Sequence, residues 1–61
     1  MTEHDREVLS ELSLEMLAHI QTMKDTEVAH IQADAVLTNI LRNIGFEAVV
    51  REYEKVGKWY A

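Results

Sequence analysis

The stretch "MKDTEVAH", residues 23–30, decides the fold of this 61-residue chain, because two readings meet there. Asp25 or Thr26 can cap a new helix with Glu27 in its first turn, which makes the segments on either side an antiparallel hairpin. Against this, the heptad series Leu9, Leu12, Met16, His19, Met23, Thr26, His30, Ala33, Leu37, Ile40 and Ile44 runs through the same place without a slip, as in one continuous coiled-coil helix. The hairpin is the better reading. Lys24, Asp25 and Thr26 are three polar residues in a row, and His19, Thr26 and His30 put polar groups on the supposed seam. A helix of 40 residues would also be about 60 Å long and unable to fold back to cover itself.

Outward from this turn the pattern is helical in both directions. Proline is absent and the two glycines, Gly45 and Gly57, lie late. Leu9, Leu12, Met16, Ile20 and Met23 recur with helical spacing before the turn, and Ala29, Ala33, Val36, Leu37, Ile40, Leu41 and Ile44 after it. No stretch alternates with period two. Thr2 with Asp5 three positions on forms a relative of the capping box, and Glu3, Asp5 and Glu7 suit the positive end of a helix dipole. Gly45 supplies a left-handed C′ residue for the second helix, with Phe46 placed to fold back onto Leu41. A short third helix follows, with Phe46, Val49, Val50, Tyr53 and Val56 on one stripe and Glu47/Arg51 and Glu54/Lys58 as outward pairs. The expected fold is all-α: one domain over residues 1–61, with helices at 3–23, 26–44 and 47–56 and a tail at 57–61.

Sixty-one residues bury only roughly 60% of the surface exposed on unfolding, and with no cysteine there is neither disulfide nor thiolate metal site to compensate. Self-association is therefore expected. Ala29 and Ala33, a small-xxx-small pair, allow close approach of another backbone, from a neighbouring helix of the same chain or from a homo-oligomer seam. All four aromatic residues, Phe46, Tyr53, Trp59 and Tyr60, fall in the last 16 positions. Tyr53 suits the core stripe of the third helix. Trp59 and Tyr60 lie past Gly57, where they either fold back over the hairpin or anchor an interface.

The formal charge of −5 is unevenly spread: residues 1–34 carry eight acids against two bases, residues 35–61 three against four. Without a basic stripe, nucleic acid is not the expected partner. No apolar run approaches a membrane span and the start "MTEHDREVLSE" is acidic, so a cytoplasmic location is expected, with no membrane partner.

Candidate chemistry is sparse. A hairpin turning between Lys24 and Asp25 sets His19 opposite His30, with Asp34 one turn beyond, a set that can hold a divalent ion with one position left for water. Two histidines flanking a turn equally well serve as partly exposed polar residues. Ser10, Ser13 and the threonines have no base at helical spacing, and phosphate-cradling glycine loops are absent, so neither an enzyme nor a cofactor is expected.

The segment "AHIQADAVLTNILRNIGFEAVVREYEKVGKWYA", residues 29–61, resembles a group of small uncharacterised proteins of bacterial, cyanobacterial and phage genomes. The shared positions are His30, Ala33, Asp34, Gly45 and the closing Lys58, Trp59, Tyr60 and Ala61. The resemblance covers about half the chain and implies a provenance; it carries no catalytic residue. Together these features point to a small helical protein-binding module, of the kind a phage uses to modulate or inhibit a larger cytoplasmic protein. A metal- or ligand-binding accessory module using His19, His30 and Asp34, or a structural homo-oligomer, are the alternatives.

Overall fold

The computed structural model describes residues 1–56 as three helices, α1 (Glu3–Ile20), α2 (Thr26–Asn43) and α3 (Glu47–Glu54), with no strand among the described residues. Trp59 and Tyr60 lie outside the described residues, as do the tail and Lys58.

Each boundary of α1 and α2 has a local cause. Thr2 and Asp5 form a full capping box: the Asp5 N–H donates to Thr2 Oγ1 at 3.1 Å and the Thr2 N–H to Asp5 Oδ2 at 3.4 Å. α1 stops at Ile20, three residues before the expected end at Met23, although no glycine or proline interrupts it. The chain tightens there into i→i+3 bonds, Thr22 N–H to the His19 carbonyl and Met23 N–H to that of Ile20, both at 3.0 Å. The Thr22 hydroxyl also donates to the His19 carbonyl at 2.7 Å, which satisfies a C-terminal oxygen that a continuing helix would have used. Asp25 then starts α2, accepting from the Val28 N–H at 3.2 Å. At the far end Gly45 takes φ +95°, the Phe46 N–H reaches the Leu41 carbonyl at 2.9 Å and the Gly45 N–H that of Arg42 at 3.2 Å. These two bonds make a Schellman ending, closed by the one residue that adopts this φ without strain.

α1 and α2 are antiparallel, and the hairpin is the arrangement adopted at residues 23–30: Leu9 and Leu17 flank a groove with Ile40 and Ile44, while Ile20 shares a pocket with Ala33 near the turn. α2 is the middle element. It packs against α1 on one flank and α3 on the other, with no contact between α1 and α3 among the described residues. The consequence is a plate. Its Cα atoms span 36 × 28 × 7 Å, and 7 Å is little more than the ~4.6 Å Cα width of one helix. The radius of gyration, 12.8 Å, exceeds the roughly 10 Å of a compact chain of this length.

A single layer has flanks but no interior, so burial is confined to the two inter-helix seams. Ile20, Val36 and Val50 are the buried apolar residues, joined by Ser13 and Thr38, whose hydroxyl donates to the Ala35 carbonyl at 3.2 Å. A chain that is 48% hydrophobic thus leaves Leu12, Leu14, Met16, Ile31, Leu37, Ile44, Phe46, Val49 and Val56 exposed. The ion pairs also differ from expectation. Glu54 crosses to Arg42 of α2 at 2.9 Å, and Lys55 pairs with Glu52 at 3.2 Å; a Glu47/Arg51 pair is not among those formed by the described residues.

Candidate functional site

The plate has two faces, and each bears a groove. One, about 580 Å³, runs across α2 from Leu12 and Met16 of α1 to Tyr53 and Glu54 of α3. Its α2 surface is Ile31, Asp34, Ala35, Thr38, Asn39 and Arg42, positions that recur every three or four residues and so share one side of the helix. The lining mixes chemistries. Leu12, Met16 and Ile31 are each about half exposed, Asp34 is half-buried, and the Arg42–Glu54 bridge closes the α3 end. We call this the groove face.

The opposite face has a narrower groove of about 300 Å³, lined by Leu9, Leu14, Leu17, Ile40 and Ile44 with Arg6, Ser10 and Ser13. Nearer the turn a separate pocket is formed by Ile20, Gln21, Met23, Thr26, Ala29, His30 and Ala33. Neither lining contains an acid. On α2 these residues, with Leu37 between them, follow 26, 30, 33, 37, 40 and 44, a strict 4-3-4-3-4 spacing. This is the heptad stripe of the second half of the chain, now on a face where Leu37 is 54% and Ile44 44% exposed. We call it the seam face.

The residues singled out in the sequence are therefore divided. Tyr53 lines the groove face, while Ala29 and Ala33, half-buried, line the seam face. His19, His30 and Asp34 are not assembled into a ligand set: no group of three or more metal-ligating side chains comes together among the described residues. The turn spans the five residues Gln21–Asp25; His30 lines the pocket beside it and Asp34 the groove, while His19 lines neither. His19 and His30 are both exposed.

Residues that the sequence pattern does not single out also line both faces. Arg42, Thr38 and Asn39 gain importance only because α3 returns beside them. Leu14 and Leu17 stand off the heptad series, and their i,i+3 spacing one turn after Ser10 was the available signal. Among the described residues no helix is long and apolar enough to cross a membrane. No family model matches the chain, and neither a curated protein nor a solved structure does.

Proposed function

We propose that this chain is a small helical protein-binding module whose groove face takes an amphipathic segment of a larger protein. The observation that carries the reading is the 580 Å³ groove, with apolar Leu12, Met16, Ile31 and Tyr53 beside Asp34 and Glu54. Amphipathic helices dock in such grooves through apolar residues spaced along one side. In the lining Asp34 and Glu54 outnumber Arg42, to which Glu54 is bridged, and this balance with the net charge of −5 favours a segment whose apolar residues are flanked by Lys or Arg and disfavours nucleic acid. The chain acts by occupying a surface and catalyses nothing. Phage origin is one of the provenances implied by the resemblance of residues 29–61 to small bacterial, cyanobacterial and phage proteins, and with it the class of target proposed is a host enzyme or defence protein in the cytoplasm, modulated or inhibited by that occupation.

The test uses two synthetic 14-residue amphipathic peptides of the same Leu pattern, one with Lys and one with Glu on the polar side. The Lys peptide is expected to bind in the micromolar range and shift the NMR signals of Leu12, Met16, Ile31 and Tyr53; the Glu peptide is expected not to. Met16→Glu should abolish binding. Equal binding of both peptides, or shifts centred on Leu37 and Ile44, would refute the assignment of the groove.

A further inference from the structure

The seam face is left open by the fold, and its pattern is self-complementary. Along α2 the seam residues are Thr26, His30, Ala33, Leu37, Ile40 and Ile44. When two such helices run antiparallel and cross level with Ala35, three layers form, each repeated by symmetry. Leu37 faces the partner subunit's Ala33, Ile40 faces the partner subunit's His30, and Ile44 faces the partner subunit's Thr26. Every layer sets a large apolar residue against a smaller or polar one, the complementarity that lets facing helices interdigitate at native density. Each layer also joins an a position to a d position, as antiparallel coiled coils require. Six residues obeying one symmetry is a stronger constraint than the small-residue pair Ala29 and Ala33 alone.

Area and charge select the same occupant. The chain exposes 4919 Å², against about 4,000 Å² for a compact monomer of this size. The excess is close to the ~800 Å² that each partner buries in a standard stable interface. The plate itself, 36 × 28 Å, offers a projected face of the same order. For two copies of an acidic chain to associate, acids must stay off the contact, and the linings on this face hold none, whereas the groove face carries Asp34 and Glu54.

We propose that two copies of this chain pack seam face to seam face about a twofold axis level with Ala35, the antiparallel α2 helices placing Leu37 of each copy over Ala33 of the other. The contact is isologous and closes at two. It converts two single layers into a six-helix, two-layer particle, gives the exposed Leu14, Leu37 and Ile44 an interior, and leaves both groove faces outward.

The test needs only the purified protein, so its outcome is separate from that of partner binding. Sedimentation at micromolar concentration should give twice the chain mass. Leu37→Glu should raise the dissociation constant at least 100-fold, and Met16→Glu should leave it unchanged. To separate loss of the interface from loss of the fold, a second pair of variants reads the layer directly. Ala33→Leu alone should weaken the dimer at least 10-fold by crowding two leucines together, and adding Leu37→Ala should restore it by reversing the layer. The chain has no cysteine, so oxidising an equal mixture of Ala33→Cys and Leu37→Cys proteins should give the mixed disulfide in excess of either symmetrical one. A concentration-independent monomer, a dimer dissociated by Met16→Glu instead, or symmetrical disulfides predominating would each overturn the proposal.

Discussion

The groove face and the seam face are two sides of the same 18-residue helix, yet they differ in almost every property that governs association. The groove face interrupts its apolar residues with Asp34, Asn39 and an Arg42–Glu54 bridge, so it presents charge of both signs. The seam face sets Ala33, Leu37, Ile40 and Ile44 with Thr26 and His30 at strict heptad spacing, and its linings hold no acid. Their separation teaches how a short chain obtains two surfaces. α1 and α3 occupy opposite flanks of α2, so neither covers its faces, and the hydrophobic residues that cannot find an interior inside one layer remain available outside it. The same arrangement limits burial: among the described residues Ile20, Val36 and Val50 are the buried apolar side chains, set against the conformational entropy of about 56 ordered positions.

The largest expected effect that separates the faces is that of Leu37→Glu. A charge in the central layer of the seam should cost at least about 2.7 kcal/mol of association, the 100-fold loss set out above, while the Lys peptide still binds the groove of the resulting monomer. Titrating the peptide into the variant at a concentration where it is monomeric checks this; joint loss with helicity retained would mean that the faces are not independent.

Val36→Ala should act on both faces at once. Val36 is 4% exposed in the seam between α1 and α2, and losing its methyl groups should destabilise the fold by about 2 kcal/mol. For a domain this small the melting temperature should fall by about 10 °C. Thermal denaturation followed by circular dichroism is the measurement, and a shift under about 3 °C would show that this seam is not where the plate is held together.

Gly45→Ala should have a smaller effect and a polarised one. No atom lies within 4 Å of the position a Cβ would occupy, so the cost is the φ of +95° alone, about 1 kcal/mol. Since Gly45 aims α3, and α3 contributes only Tyr53 and Glu54 to the groove, peptide affinity should fall while the dimer constant holds. Gly45→Asn should lose less than Gly45→Ala. Arg42→Ala should be the mildest change. Its bridge to Glu54 is formed by side chains 40% and 47% exposed, where solvent screening leaves at most about 0.5 kcal/mol. Urea denaturation should scarcely register it; a loss above about 1.5 kcal/mol would mean that the bridge, and not Val50, fastens α3.

The sequence by itself determined the local grammar of this protein. Thr2–Asp5, Asp25 and Gly45 each act through bonds to backbone atoms within five residues, so their roles were legible as letters. Helical periodicity and the absence of period two determined the class, because both follow from the repeat of the backbone itself. What the tertiary structure decided is where each stripe points. The heptad series is continuous on paper from Leu9 to Ile44, but the five residues Gln21–Asp25 reset its phase: Leu12 and Met16 emerge on the groove face, Ile40 and Ile44 on the seam face, and Leu9 touches both. The placement of the helices likewise brings His19, His30 and Asp34 into no group of three metal-ligating side chains among the described residues. Only the return of α3 beside α2 gave Glu54 its partner in Arg42 and buried Val50 completely. A turn's exact length and a helix's choice of neighbour depend on contacts between residues far apart in the chain, and those are settled by packing, not by the pattern any one segment carries.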